Sequence, residues 1–185
     1  MRVISGSARR TLLKTIEGLE TRPTTDRIKE TLFNMLQGSL SDCRFLDLFS
    51  GSGGIGIEAL SRGAEKCWFV EKNAKAADCI RENLKATHLE DRAVLMEYDA
   101  VAAIKKLRTE KLTFDFIFMD PPYNKKYEFY VLNELRNTEL ADEHTIIIVE
   151  AAKNTSFDYL AESGYEIVKV KEYKTNIHIF IRKCK

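Results

Sequence analysis

The sequence predicts an α/β fold: a seven-stranded, mainly parallel sheet ending in an antiparallel hairpin, with helices on both faces and a short N-terminal extension. Three observations predict it. From Cys43 onward, short apolar runs alternate with stretches of helical periodicity, which implies right-handed βαβ crossovers. The last two apolar runs have only Lys174-Thr175 between them, too few residues for a crossover, so they pair as a hairpin. The chain has 185 residues, 44% hydrophobic and 31% charged, enough for one core and a solvated surface, which excludes disordered and collagen-like classes.

The elements follow in order. Arg2 to Ile16 reads as a short hairpin-like start, and Thr24-Thr25-Asp26 offers an N-cap for a helix with apolar positions Ile28, Leu32, Phe33 and Leu36. Residues 1–40 form the extension and 41–185 the main domain. Arg44 to Phe49 is the first strand; Ser50-Gly51-Ser52-Gly53-Gly54 leads into a helix that runs to about Arg62. Lys66 to Glu71 is the second strand, and Asn73 caps a helix burying Ala76, Ala77, Ile80 and Leu84. Val94 to Tyr98 is the third, with Asp99 as the next cap. Phe114 to Met119 and Thr145 to Glu150 are the fourth and fifth; Tyr165 to Tyr173 and Asn176 to Arg182 make the hairpin.

Composition narrows the function classes. No apolar run approaches the roughly 18 residues of a membrane-spanning helix, and the N-terminus lacks the apolar stretch of a secretory signal, so a soluble, cytosolic protein is expected; a monomer is expected separately. Cys43, Cys67, Cys79 and Cys184 include no CxxC pair, and His88, His144 and His178 are far apart, so neither a metal cluster nor a disulfide framework is expected. The net charge of +1 conceals a division. Residues 1–36 carry seven basic and four acidic side chains and residues 165–185 six and two, leaving 37–164 with sixteen against twenty-two. Basic ends flank an acidic body.

In a doubly wound sheet, ligands bind at the carboxyl ends of the strands where strand order reverses. The first four strands end in Asp47 and the glycine loop, Glu71, Asp99, and Asp120-Pro121-Pro122-Tyr123. Gly51-Ser52-Gly53-Gly54-Ile55-Gly56 fits G-x-G-x-x-G, and Glu71 lies where a carboxylate accepts from ribose hydroxyls. Asp99 suits adenine recognition or helix capping equally well. The two prolines fix φ and remove two donors, leaving rigid carbonyls free to accept. If the Asp120 carboxylate and the Pro121 carbonyl each accept one N–H of an exocyclic nucleobase amine, the nitrogen lone pair is freed toward an electrophilic methyl, while Tyr123 stacks on the base.

The segment from Asp47 through Gly56 to Ala64, with Asp120-Pro121-Pro122-Tyr123, resembles class I S-adenosylmethionine-dependent amino-methyltransferases and their Rossmann-like fold. Arg22-Pro23-Thr24-Thr25-Asp26-Arg27-Ile28-Lys29-Glu30-Thr31-Leu32-Phe33-Asn34 resembles, more narrowly, the RsmD family, which methylates N2 of guanine 966 in 16S rRNA of the small ribosomal subunit. The resemblance implies S-adenosyl-L-methionine as cofactor and 16S rRNA, free or in the subunit, as partner. It places Asp47, Phe49, Gly51 and Gly53 at the methionine end, Glu71 at the ribose and Asp99 at the adenine. Asp120, Pro121, Pro122 and Tyr123 would hold the guanine. Thr24 and Asp26 would close over the cofactor, and Arg22 and Arg27 over the RNA, with capping and surface pairing as the alternative for Arg22, Asp26 and Arg27. Arg9, Arg10 and Lys14 supply phosphate-binding charge. The chain departs from the family at Ser5-Gly6-Ser7-Ala8-Arg9-Arg10, which replaces a glycine-rich hairpin, and at Lys174 in the final turn.

Three rivals remain at this level. A DNA adenine or cytosine amino-methyltransferase, or a protein-glutamine one, uses a similar loop, but residues 124–144 leave little room for a DNA-recognition region. A nicotinamide-dependent oxidoreductase matches the glycine motif alone. A non-catalytic RNA-binding module would keep the fold only.

Overall fold

A computed structural model describes residues 1–16, 26–123 and 125–184; the expectations at Arg22 and Thr24 lie outside them. The elements are α1 (Asp26–Met35), β1 (Arg44–Asp47), α2 (Gly54–Ser61), β2 (Lys66–Val70), α3 (Ala74–Thr87), β3 (Ala93–Met96), α4 (Ala100–Leu107), β4 (Phe116–Met119), α5 (Tyr127–Arg136), β5 (Ile146–Ala152), β6 (Tyr165–Glu172) and β7 (Asn176–Lys183). The seven strands lie in the order β3-β2-β1-β4-β5-β7-β6. β1 to β5 pair in parallel, and β7 runs antiparallel to both β5 and β6. Strand order reverses between β1 and β4, where the chain passes from one half of the sheet to the other.

Alternation along the strands divides the core. Leu46, Trp68, Ile117 and Ile147 face α4 and α5, whereas Phe45, Phe69, Phe116, Phe118 and Ile148 face α1, α2 and α3. Helix starts follow local chemistry: Asn73 Oδ1 accepts from the Ala76 N–H and Asp99 Oδ1 from the Ala102 N–H.

Gly56 brings α2 against the sheet. A Cβ there would lie 2.3 Å from Phe69 Cε1 and 2.7 Å from Cys67 Sγ, both on fully buried side chains. Gly56→Ala is therefore expected to lower stability by about 1–3 kcal/mol, because overpacking outweighs the better helix propensity of alanine. A urea unfolding midpoint equal to or above that of the parent protein would contradict this account of the close packing.

The N-terminal segment is a short, irregular hairpin: Arg2 bridges Leu12 in antiparallel fashion, the Val3 N–H donates to the Thr11 carbonyl, the Arg10 N–H to the Val3 carbonyl and the Leu13 N–H to the Met1 carbonyl, and its turn is fastened to α2. Glu58 accepts from the Ile4 and Ser5 N–H groups, and Ser61 Oγ and its carbonyl accept from Ala8 and Ser7. Gly6, at φ +86°, passes so close to Ser61 that a Cβ would overlap its carbonyl oxygen. Docking onto α2 supplements the short ladder. One element differs from expectation: α5, absent from the sequence reading, starts after a left-handed Lys126 with no side-chain cap and buries Val131, Leu132 and Leu135.

Candidate active site

The strand ends at the reversal point converge on one cleft. β1 ends at Asp47, and the chain then turns through Ser50, whose N–H donates to the Val70 carbonyl and whose hydroxyl donates to the Asp47 carbonyl. Gly51 and Gly53, at φ +54° and +80°, complete the turn into α2. The Gly51 N–H donates to Glu71 Oε2 at 2.9 Å and the Asn73 N–H to Glu71 Oε1 at 2.8 Å. Backbone donors thus hold the Glu71 carboxylate at the rim while both oxygens keep lone pairs for a further donor.

Asp47 is 1% exposed. Its Oδ2 accepts the Gly56 N–H at 3.2 Å, so a β1 carboxylate occupies the start of α2. Its Oδ1 is buried with no hydrogen-bond partner among the described residues. Burial pushes its carboxyl up to about 7, with the Glu71 charge adding to the shift and the Gly56 N–H opposing it. A buried, orphaned acceptor of this kind fits a cationic donor.

Two lobes of one cleft meet at Phe49, Gly51 and Asp120. The smaller, about 100 Å³, is bounded by Met1, Lys29, Asp47, Ser52 and Gly54. The larger, about 460 Å³, has an apolar floor of Leu48, Val70, Ala100 and Val101, with Glu71, Tyr98, Asp99 and Tyr127 around it. Asp99 caps α4 through Oδ1 and also lines this lobe. The Tyr127 ring lies 6.3 Å from Phe49, with the Lys72 ammonium 5.9 Å from its centroid. An acidic small lobe beside an apolar lobe with acidic rims suits a molecule that is cationic at one end and carries a planar ring at the other.

Asp120 stands at the wall shared by the two lobes, directly after β4. Burial, then the negative charges of Glu150 and Asp47, hold its carboxyl well above the usual carboxylate range. Pro121 is buried, while Pro122 and Tyr123 are exposed; Pro122 borders the larger lobe. The Tyr123 hydroxyl points back to Glu150 Oε1 at 3.4 Å, leaving its ring 44% exposed beside the cleft.

The flanking candidates are placed differently. Arg9, Arg10 and Arg27 are exposed, with Arg10 in a left-handed turn. The Lys14 ammonium pairs with Glu82 Oε2 at 2.7 Å, so part of its charge is spent within the protein. Asp26 turns to Arg2, at 3.5 Å from its Nε and 3.3 Å from its N–H, and does not border the cleft.

Three features escaped the sequence reading. Lys29 is fully buried at the small lobe, donating to the Arg2 carbonyl at 2.6 Å and pairing with Glu58 at 3.3 Å. Glu150 and His178 form a buried pair beyond Asp120, and Tyr127 completes the apolar lobe. A lysine inside the apolar face of a short helix, and a lone histidine inside an apolar strand, were the available signals. Among the described residues no cluster of His, Cys, Asp and Glu could hold a metal ion, and no helix is long and apolar enough to cross a membrane.

The chain resembles known proteins over most of its length. The family described as "Conserved hypothetical protein 95" matches residues 1–182. The Bacillus subtilis protein YlbH is 42% identical over 150 residues, covering 81% of this chain and 82% of its own. Ribosomal RNA small subunit methyltransferase D of Escherichia coli is 34% identical over 155 residues, covering 83% of this chain and 76% of its own. The solved structure of the Escherichia coli protein yhhF superposes with a TM-score of 0.85 at 28% identity, covering 100% of this chain and 98% of that one.

Proposed function

The chain belongs to the conserved hypothetical protein 95 family, the RsmD family of the sequence resemblance, and on that premise we propose that it transfers a methyl group from S-adenosyl-L-methionine to N2 of a guanine, G966, in 16S rRNA of the small ribosomal subunit. The observation that carries the reading is the position of Asp120 at the junction of the two lobes, next to the buried Pro121. A group bound in the cleft and a base presented from outside would meet at that carboxylate.

The cleft fits the cofactor. The orphaned Asp47 Oδ1 would accept from the methionine ammonium, Gly51 and Gly53 give the turn its close approach, and Phe49 packs at the junction. Glu71 would take the ribose hydroxyls, and Asp99 the adenine amine. Bound there, the cofactor supplies an electrophilic methyl on a sulfonium. A dinucleotide fits poorly: the start of α2, where a pyrophosphate would sit, is occupied by the Asp47 carboxylate.

Asp120 and the Pro121 carbonyl would accept the two N–H bonds of the guanine amine, and Tyr123 would stack on the ring. Positive charge would develop on the amine nitrogen as it takes the methyl group; the Asp120 carboxylate would stabilise it, and the surplus N–H proton would leave to water. The exposed Arg9, Arg10 and Arg27, with Arg22 and the Glu82-paired Lys14, would meet RNA phosphates in the cytoplasm, and Thr24 would close over the cofactor. Labelled-methyl transfer onto unmethylated small subunits, naked 16S rRNA and DNA, followed by nucleoside identification, tests the reading. N2-methylguanine in rRNA is expected; N6-methyladenine in DNA would reject it.

Cofactor affinity should depend on pH through Asp47. Its folded-state value, about 7, is raised from 3.8, so the associated stability is present below about 3.8 and is lost as pH rises through 7. A cationic ligand reverses the preference, because it favours the ionised form. Affinity is expected to strengthen from about pH 5.5 to 7, with proton release on binding, and then to level off as the ligand's own amine begins to titrate near 8. Calorimetry in buffers of different ionisation enthalpy measures the released proton. A constant affinity across this range, with no proton release, would remove Asp47 from the ammonium site.

A further inference from the structure

Directly beyond Asp120, a carboxylate that the amine clamp does not itself use is built into the sheet. Glu150 lies in β5 opposite His178 of β7, in an antiparallel register that places both side chains on one face. Its side chain is 5% exposed, and three groups hold it. Asn176 Nδ2 donates to Oε1 at 2.6 Å, the Tyr123 hydroxyl donates to the same oxygen at 3.4 Å, and His178 Nε2 lies 2.9 Å from Oε2. His178 is fully buried; its Nδ1 lies 3.2 Å from the Tyr173 hydroxyl, and its ring meets Phe118 edge-on at 6.0 Å. A buried carboxylate with this many fixed partners is costly for mere stability. It stands where its charge reaches Asp120 and its oxygen reaches Tyr123.

We propose that Glu150, locked by Asn176 and the His178–Tyr173 pair, is a positioning residue for the target base, tethering the Tyr123 hydroxyl so that its ring presents a fixed face and setting a second negative charge behind the Asp120 clamp. The inference rests on the amino-methyltransferase reading above. The tether fixes the polar tip of an aromatic residue that is 44% exposed next to two prolines. The second charge acts on Asp120 together with Asp47 of β1, while Lys29 of α1 borders the same small lobe with opposite sign. Donors on the incoming amine relieve the repulsion among these carboxylates, so an empty clamp is less favourable than a filled one. Pre-arranged negative potential is then greatest where positive charge develops on nitrogen.

The test uses Glu150→Gln, which keeps the shape and an acceptor for Asn176 and Tyr123 but removes the charge, together with Tyr123→Phe and the double variant. In the ligand-free protein, the carbon-13 resonance of the Asp120 carboxyl reports its titration without any substrate. The Glu150→Gln midpoint is expected to fall by about one pH unit. On rRNA, the single-turnover rate of Glu150→Gln is expected to fall about tenfold with cofactor affinity unchanged, and adding Tyr123→Phe should cost less than it does alone. An unmoved Asp120 titration, or additive losses in the double variant, overturns the inference. So does a parallel fall in melting temperature, cofactor affinity and rate, the signature of a purely structural glutamate. Failure of the parent protein to methylate any rRNA condemns the substrate reading instead, and leaves the Asp120 titration as the measure of the Glu150 charge.

Discussion

Asp120→Ala is expected to lower the single-turnover rate of methyl transfer by on the order of 10²–10³-fold while leaving cofactor affinity within about threefold. Two acceptors are needed to hold both N–H bonds of an exocyclic amine, and the variant leaves only the Pro121 carbonyl. The cofactor keeps its own partners, since Asp47 and Glu71 are fixed by backbone donors that do not involve Asp120. Stability should move the other way. Burial and the charges of Glu150 and Asp47 hold the Asp120 carboxyl well above its ordinary range. Its contribution to stability is therefore present at acid pH, when it is protonated, and is lost as pH rises through its folded-state value. Removing it at pH about 8 takes away a group that is costly to ionise, so the urea midpoint of Asp120→Ala should equal or exceed that of the parent, an instance of site residues kept at the expense of stability. Asp120→Asn, which retains one acceptor oxygen, should fall between the two in rate. Near-parental turnover in Asp120→Ala would exclude the clamp.

The strand ends that make this site were readable because each follows a short apolar run, and a doubly wound sheet brings such ends to one edge. Asp47, Glu71, Asp99 and Asp120 therefore emerged from spacing alone, and Lys174-Thr175 was enough to reveal the hairpin. The fold class, a seven-stranded sheet with its last strands antiparallel, matches the structure and its solved relatives. What sequence could not give was pairing across long separations. Asp26 was expected near the cofactor, yet its carboxylate meets Arg2, a partner that only docking of the N-terminal segment supplies. Glu150 reads as the end of a strand until His178, 28 residues later, is brought opposite it. α5 was missed because no capping side chain precedes it and the exposed aromatics Phe129 and Tyr130 blur the apolar spacing of Tyr127, Val131, Leu132 and Leu135.

The same kind of distant pairing sets the second large effect. Glu58 has no exposed surface, yet it accepts from the Ile4 N–H at 2.8 Å and the Ser5 N–H at 3.0 Å, and pairs with Lys29 at 3.3 Å and Arg62 at 2.8 Å. One carboxylate on α2 thus joins the N-terminal segment, α1 and α2. Its removal leaves two backbone donors unsatisfied and two cations together, one fully buried. Glu58→Ala is expected to cost about 3–5 kcal/mol, the range for breaking a buried ion pair from one side. Lys29→Met should cost much less, because Glu58 would keep Arg62 and both N–H donors, and only the Arg2 carbonyl would lose its partner. The asymmetry follows from counting partners, since the acid serves four groups and the lysine two. Urea unfolding of both variants measures it, and amide hydrogen exchange at Ile4 and Ser5 locates it: protection there should vanish in Glu58→Ala and persist in Lys29→Met. Because Met1 and Lys29 border the small lobe, a loosened N-terminal segment also opens the cleft at the end proposed for the ligand's ammonium, so Glu58→Ala should weaken cofactor binding although Glu58 does not line the cleft. Equal costs for the two variants, or unchanged protection at Ile4 and Ser5, would show that the segment is held by its apolar contacts through Val3 and Leu13 and not by this carboxylate.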